Sequence, residues 1–295
     1  MNILLLGNGY IGSYIVDKFK KSPGINLHIL TKQTDRYDQP FFLIKAIRKI
    51  QPDVVINACG YTGRPNVDAC EINKQTCWDL NVNLPKNVSI VCETYDIPLI
   101  HISSGCIYTG YSKLYSEHDE PNFGLGNDDS SWYSKTKHAA EIALHNTNSY
   151  TLRVRMPFCS DDHTRNFLNK VVKYDNLIEF ENSMTCVEDF VIFLQKFIVK
   201  IHAKEVQPGI FNVCNPGSAT IRHAVKLFKT NGIGNANWKF VDISKLNIRA
   251  NRSNCVLDTT KIDNLGLSLP SVESSMSKAI VTLSEKMLIN KWNEK

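Results

Sequence analysis

A tyrosine and a lysine stand four residues apart, Tyr133 and Lys137, in "SSWYSKTKHAAEIALH", a stretch that reads as helix after the capping serines Ser130 and Ser131. That spacing puts both side chains on one helical face. A cation beside a phenol whose free pKa is about 10 favours the phenolate, which predicts a proton donor and acceptor usable near neutral pH. Ser104, in "SSGCIY" at 103–108, ends an apolar run at the place where open parallel sheets bind ligands. Serine, tyrosine and lysine beside a nicotinamide can reduce a ketone. Cys106 stands just beyond Ser104; by residue type alone it is a small buried hydrophobe, and its thiol, with a free pKa of about 8.5, is also a possible base.

A nicotinamide has a predicted site at the N-terminus. "GNGYIG" supplies Gly7, Asn8, Gly9, Tyr10, Ile11 and Gly12 directly after a first strand and at the opening of a helix. In such a GxGxxG turn the first glycine permits the turn, the second admits a pyrophosphate and the third lets helix and strand pack, while the helix N-terminus attracts phosphate. The second strand ends in Thr31 and Lys32 without a carboxylate at its tip, and Lys32 or Arg36 could meet a 2'-phosphate, so NADP is preferred over NAD. Asp35 and Asp38, a few residues on, keep NAD as the alternative.

These groups need a scaffold that brings strand ends together. Short apolar runs recur at 2–7, 26–31, 53–58, 98–103 and 150–155, each long enough for a strand buried on both faces. Stretches of helical spacing fall between them, at 41–50, 67–95 and 131–147. The alternation predicts an α/β, doubly wound parallel sheet, a Rossmann domain over 1–155, with a smaller substrate-binding lobe over 156–295. A helix at 187–202 and a strand at 209–215 return to the first domain, and a C-terminal helix is expected at about 271–289. The Gly-, Asp-, Asn- and Pro-bearing stretch from Tyr108 to Ser131 is expected to form a mobile cover beside the site.

Composition narrows the class. A hydrophobic fraction of 43%, a charged fraction of 21% and 295 residues describe an ordinary globular chain. The net charge of +5 is spread without dense runs, which suits an anionic small molecule better than nucleic acid. Nine cysteines without a C-x-x-C pair read as free thiols in a reducing compartment. The opening "MNILLLGNGYIG" fits neither signal peptide nor membrane span, so a cytoplasmic location without membrane attachment is expected. No histidine has metal-ligand spacing, so no metal is expected, and His101, inside an apolar strand, is read as a core histidine.

With the GxGxxG turn, Ser104 and the Tyr133/Lys137 pair in this order, the chain resembles the extended short-chain dehydrogenase/reductases over essentially its whole length. Dehydratases of that family carry an Asp-Glu pair after the catalytic hydroxyl residue, where this chain has Gly105 and Cys106. "NRSNCVLDTTK" at 251–261 resembles the segment that ends reductases of 4-keto-rhamnose sugars, with Asn251 where proline is expected. "GYTGRPNVDACE", "SSGCIY", "EHDEPNF", "WYSKTK", "TLRVRMP", "RNFLNK" and "NSMT" are similar to the bifunctional UDP-4-keto-6-deoxyglucose 3,5-epimerase/4-reductases that complete UDP-L-rhamnose synthesis.

That resemblance implies a UDP-4-keto-6-deoxy sugar as substrate, NADPH as reductant and a homodimer. It implies Cys106 as the epimerase base and Lys170 as its acid partner, although Lys170 alone would read as a solvent-facing lysine. Asn57, Ala58, Gly60 and Asn81 match cofactor-supporting positions. Thr62, Arg64, Asn66, Asn166, Phe167 and Arg252 are expected to hold the substrate, with arginine and amide groups suited to its diphosphate. A reductase without epimerase activity, and a non-catalytic NADP-binding regulatory subunit, are the alternatives.

Overall fold

A computed structural model describes residues 1–293. The first half alternates strand and helix as the apolar runs require. β1 (Asn2–Leu6) leads to α1 (Tyr10–Phe19), β2 (Asn26–Leu30), a single turn α2 (Lys32–Asp35), α3 (Pro40–Ile50) and β3 (Val54–Asn57). The stretch expected to be helical over 67–95 is divided into α4 (Asp68–Ile72), α5 (Lys74–Trp78), one π-turn at Asp79–Asn83 and α6 (Leu84–Thr94). β4 (Leu99–Ser104), α7 (Trp132–Leu144) and β5 (Ser149–Val154) complete this half.

Then come α8 (Phe167–Lys173), β6 (Asn176–Ile178), β7 (Asn182–Met184), α9 (Val187–His202), β8 (Gly209–Asn212) and β9 (Asn215–Ala219). The chain ends with α10 (Ile221–Thr230), β10 (Lys239–Val241), α11 (Thr260–Asn264) and α12 (Val272–Asn293).

Six strands form one parallel sheet in the order β2-β1-β3-β4-β5-β8. Every residue of β3, β4 and β5 is buried, because helices cover both faces. One face packs Ile3, Leu5, Ile56 and Leu152 against α1 and the aromatic side of α9; the other packs Leu4, Val55 and Leu99 against α3 and α6. Strand order reverses beside β1, which puts the turn after it, and the ends of β3 and β4, on one crevice.

A separate core gathers Phe158, Leu168, Met184, Phe228 and Met276 from α8, β7, α10 and α12. Beside it stand two short pairs, antiparallel β7–β9 and parallel β6–β10.

The stretch after Tyr108 is anchored to the body at several points. Polar and turn residues do dominate it, yet Tyr108, Tyr115 and Phe123 are buried, and the first two rings stack with centroids 4.6 Å apart. Backbone bonds from Gly110 to Asn254 (2.8 Å), Tyr115 to Val256 (2.9 Å) and Phe123 to Ile107 (2.9 Å) pin it at three places. Aromatic side chains thus fix it at points between its turn residues. No helix among the described residues is long and apolar enough to cross a membrane.

Candidate active site

The glycine turn is shaped by contacts that side chains would block. Gly7 has φ +92°, and a Cβ at Gly12 would lie 2.4 Å from the Gly7 carbonyl oxygen, so α1 can start this close to β1 only with glycine there. A Cβ at Gly9 would meet nothing within 4 Å, which leaves open space over the first turn of α1. That helix has no side-chain cap and no acidic residue in its first turn, so its leading N–H groups fit a pyrophosphate. The side chains of Tyr10 and Ile11 turn elsewhere. The Tyr10 ring stacks on His163 at 4.5 Å and burial pushes its phenol up, while Ile11 packs into the core.

At the tip of β2, Lys32 pairs with Asp38 at 3.2 Å and the exposed Arg36 guanidinium lies 4.8 Å from the Phe42 ring centre. The Asp35 carboxylate accepts the Thr31 N–H at 2.8 Å and the Thr34 hydroxyl at 2.6 Å. Both carboxylates are thus engaged locally, and Arg36 is the cation beside the strand tip.

Beyond β3, the Asn57 amide accepts the Cys59 N–H at 3.0 Å and meets His101 Nδ1 at 3.2 Å. His101 is a core residue as expected, fully buried, with burial holding its pKa well below the ordinary range; its Nε2 lacks a partner among the described residues. Ala58 packs against the sheet core. The π-turn brings Asn81 back to the chain after β3, where its Oδ1 accepts the Tyr61 N–H at 2.7 Å and its Nδ2 donates to the Tyr61 carbonyl at 2.9 Å and Thr136 Oγ1 at 3.0 Å. A Cβ on Gly60 would lie 3.2 Å from Asn81 Oδ1 and 3.5 Å from Lys137 Nζ, which puts Gly60 over the lysine.

α7 starts where expected. Ser131 caps it by accepting the Ser134 N–H at 3.2 Å, and Tyr133 and Lys137 are buried beside the end of β4. Lys137 Nζ points to the Ile102 carbonyl at 3.5 Å; burial lowers its pKa, against the pull of Glu141. The expectation that this lysine would bring the phenol down is corrected by burial. Burial pushes the Tyr133 pKa up, the Cys106 sulfur adds to the rise, and the hydrogen bond with Ser104 opposes it. The phenol therefore holds its proton at neutral pH and is suited to give it away.

Ser104 Oγ accepts the Cys106 N–H at 3.3 Å. Cys106 is half-buried and packs with Cys70, Cys77 and Tyr133. A Cβ at Gly105 would lie 2.5 Å from Leu257 Cδ1, a physical reason for glycine where the dehydratases carry an acid. Ser104, Cys106, Tyr133 and Lys137 are therefore brought together.

Around this group the structure gathers cations. Lys170, on α8, has its pKa lowered by burial and then by Arg165 and Arg252. Arg165 donates to Thr62 Oγ1 at 2.9 Å and has its own pKa lowered by burial and then by Arg64. Arg252 pairs with Asp68 at 2.9 Å; burial raises that carboxyl, but the bond to Arg252 and backbone donors outweigh it and the net shift is down. Such a set suits a doubly charged diphosphate.

Two amides expected at the substrate turn elsewhere. Asn166 is fully buried, and its Nδ2 donates to the carbonyls of Cys159 (2.9 Å) and Asp161 (2.8 Å) while its Oδ1 caps α8 at the Leu168 N–H (3.1 Å). It shapes the loop before α8. Asn66 Oδ1 accepts the Asp68 N–H at 2.8 Å and starts α4. Phe167 is half-buried beside the second core.

Sequence reasoning missed Arg165, Asp68 and the two buried arginines Arg153 and Arg155. Arginine at two alternate positions, at the end of β5 and just past it, was the available signal for the last two. Among the described residues, no group of three His, Cys, Asp or Glu could hold a metal.

The family model described as RmlD substrate binding domain matches residues 1–285. The chain belongs to this RmlD family. An RmlD relative from Arabidopsis thaliana, named bifunctional dTDP-4-dehydrorhamnose 3,5-epimerase/dTDP-4-dehydrorhamnose reductase, is 31% identical over 297 residues, covering 97% of this chain and 94% of its own. A trifunctional UDP-glucose 4,6-dehydratase/UDP-4-keto-6-deoxy-D-glucose 3,5-epimerase/UDP-4-keto-L-rhamnose-reductase from the same plant is 33% identical over 81% of this chain, which spans only 36% of that protein. In fold, the L780 UDP-rhamnose synthase of Acanthamoeba polyphaga mimivirus superposes with a TM-score of 0.84 at 24% identity, over 96% of this chain and 99% of its own. The RmlD membership and this likeness agree with the parallel, Rossmann-like sheet.

Proposed function

We propose that the chain is an NADP-dependent enzyme of nucleotide-linked 4-keto-6-deoxy sugars. It exchanges the ring protons at C3 and C5 and then reduces the C4 ketone, so that UDP-4-keto-6-deoxy-D-glucose becomes UDP-L-rhamnose. The observation that carries this reading is the convergence of Ser104, Tyr133 and a half-exposed Cys106 at one strand end, beside Lys137. Membership of the RmlD family and the two activities in the name of the Arabidopsis relative support it.

NADPH, when bound, supplies the hydride for C4. Glycine-turn amides would hold its pyrophosphate, and Arg36 suits a 2'-phosphate. Ser104 and Tyr133 hold O4, and Tyr133, kept protonated by burial, gives its proton to the oxygen as negative charge develops there. Lys137 would keep a cation beside the phenol and would hold the cofactor through its ribose.

Both C3 and C5 flank the C4 carbonyl, so loss of either proton forms an enolate on the same oxygen, held by the same two hydroxyls. Cys106 takes the proton from carbon and Lys170 returns one from the other face; the lowered pKa of this lysine makes it a stronger acid. Arg64, Arg165 and Arg252 hold the diphosphate. The chain forms a homodimer through α6 and α7, a reading supported by the exposed Ile90 and Ile142 on those helices; only monomer by light scattering would remove it.

Incubation with the 4-keto sugar in deuterated water without NADPH tests the epimerase half. Deuterium at C3 and C5 is expected, and its absence leaves a reductase supplied by a separate epimerase. Cys106→Ala is expected to lose this exchange while still reducing the epimerised ketone. Absence of NADPH oxidation with either ketone would leave a binding subunit.

A further inference from the structure

Arg155, one residue past β5, is 1% exposed. Its Nη1 donates to the Gly105 carbonyl at 3.3 Å, to Ser253 Oγ at 3.0 Å and to Cys106 Sγ at 3.4 Å. Its Nη2 donates to the Ser253 carbonyl at 2.9 Å and to Asn182 Oδ1, and its Nε lacks a hydrogen-bond partner among the described residues. Arg153, two residues earlier and equally buried, is paired with Glu141 at 2.7 Å. No ion pair among the described residues includes Arg155.

A guanidinium does not give up its proton, and a buried charge without an opposite charge is costly. The atoms around this one are neutral oxygens and three thiols, Cys106, Cys214 and Cys255. Cys214 and Cys255 are fully buried, and burial pushes both thiols up, Cys214 to about 12. Cys106 alone of the three is partly exposed and takes an N–H from the guanidinium.

We propose that Arg155 is the resident counter-cation of a Cys106 thiolate, so that the base of the exchange step waits in the site as a guanidinium–thiolate ion pair. This rests on the reading that Cys106 removes a ring proton. The thiol first loses its proton to solvent. The sulfur then takes the proton from C3 or C5, the C–H electron pair forms the enolate, and the negative charge moves from sulfur to O4 between Ser104 and Tyr133. Lys170 gives its proton to the carbon from the other face, and the neutral amine and the thiol return to their starting states by exchange with solvent.

The titratable groups that face Cys106 are compatible with this. α7 presents Tyr133 and the cation Lys137, α4 and α5 present Cys70 and Cys77, Tyr61 closes that side, and Cys214 and Cys255 lie behind Arg155. None of these is a carboxylate. Lys137, and the group of Lys170, Arg165 and Arg252, are the other cations around this site, and the hydrogen bond to sulfur singles out Arg155 among them.

The test is the pH dependence of Cys106 alkylation by iodoacetamide in the full chain, followed on its own peptide. In the wild type the midpoint is expected at least one unit below the free-thiol value of about 8.5, a tenfold enrichment of thiolate. Arg155→Gln should raise it by at least one unit, and Lys137→Met should move it less. A wild-type midpoint at or above the free value overturns the proposal, as does a low midpoint that Lys137→Met alone restores. Should Arg155→Gln fail to fold, the wild-type and Lys137→Met profiles still decide. Deuterium exchange on the same samples separates the two readings: exchange with an ordinary midpoint sinks only the ion pair, and a low midpoint without exchange sinks only the epimerase.

Discussion

Removing the Glu141 carboxylate is predicted to be among the more damaging single changes outside the reacting groups. Glu141 lies one turn beyond Lys137 on α7 and is 5% exposed. Its oxygens accept from Arg153 Nε at 3.1 Å, Arg153 Nη2 at 2.7 Å and Ser103 Oγ at 2.9 Å, so one side chain ties α7 to both β4 and β5. Glu141→Ala leaves the Arg153 guanidinium, itself 2% exposed, with the Tyr108 hydroxyl at 3.0 Å as its one hydrogen-bond partner among the described residues. Breaking a buried pair from one side costs about 3–5 kcal/mol, out of a total stability of about 5–15 kcal/mol. At about 2 °C per kcal/mol for a large domain, melting should fall by about 6–10 °C. Circular dichroism during heating and urea titration measures this. The double change Glu141→Leu with Arg153→Met should recover most of the loss, because it removes the stranded charge. A Glu141→Ala protein within about 1 kcal/mol of wild type would refute the reasoning, since that is the range of a solvated surface pair. Glu141→Gln tests the link to chemistry. The carboxylate opposes the burial that lowers the Lys137 pKa, so its loss should let Lys137 discharge at lower pH and move the alkaline limb of ketone reduction downward.

Gly12→Ala should lower both melting temperature and NADPH affinity, because its Cβ would meet the Gly7 carbonyl at 2.4 Å, whereas Gly9→Ala, with nothing within 4 Å, should spare stability and weaken only NADPH binding. Fluorescence titration checks this pair, and wild-type affinity in Gly9→Ala would move the pyrophosphate off that glycine. Tyr133→Phe should lower kcat for ketone reduction by about a hundredfold or more, the contribution typical of a positioned acid, and steady-state NADPH oxidation measures it. Proton return by Lys170 requires its charged form, so deuterium exchange should fall as pH rises through its lowered pKa, at a pH below that of an ordinary lysine. A rate flat to strongly alkaline pH would remove Lys170 from the acid role.

What the sequence made legible follows from where each signal originates. Strands buried on both faces are mostly apolar on both, so β1, β3 and β4 stand out as runs despite the buried Asn57, His101, Ser103 and Ser104, and the glycine turn and the Tyr133/Lys137 spacing are local patterns. Burial is not local. The phenol of Tyr133 is set by what covers it, and the lysine four residues on does not reverse that. Asn166 looked like an amide for a ligand because its type permits it, but a helix starting at Phe167 takes that amide for its own cap.

The stretch from Tyr108 to Ser131 was read by its turn residues, while its three aromatic anchors decide its packing. Arg155 was passed over for a different reason: its partner is forty-nine residues away in the chain. The register supplies the missing step. Ser104 pairs with Val154 across adjacent parallel strands, and the Gly105 N–H donates to the Val154 carbonyl at 3.0 Å, so the residues that follow each strand must lie side by side. Gly105 thus comes opposite Arg155, and Cys106, one residue on, lies within reach of its guanidinium. Side chains alternate along a strand, so a slip of one residue would turn Arg155 away from the thiol and bring forward an apolar side chain, Val154 or Met156. The strand pairing that builds the core therefore also fixes which cation meets the sulfur.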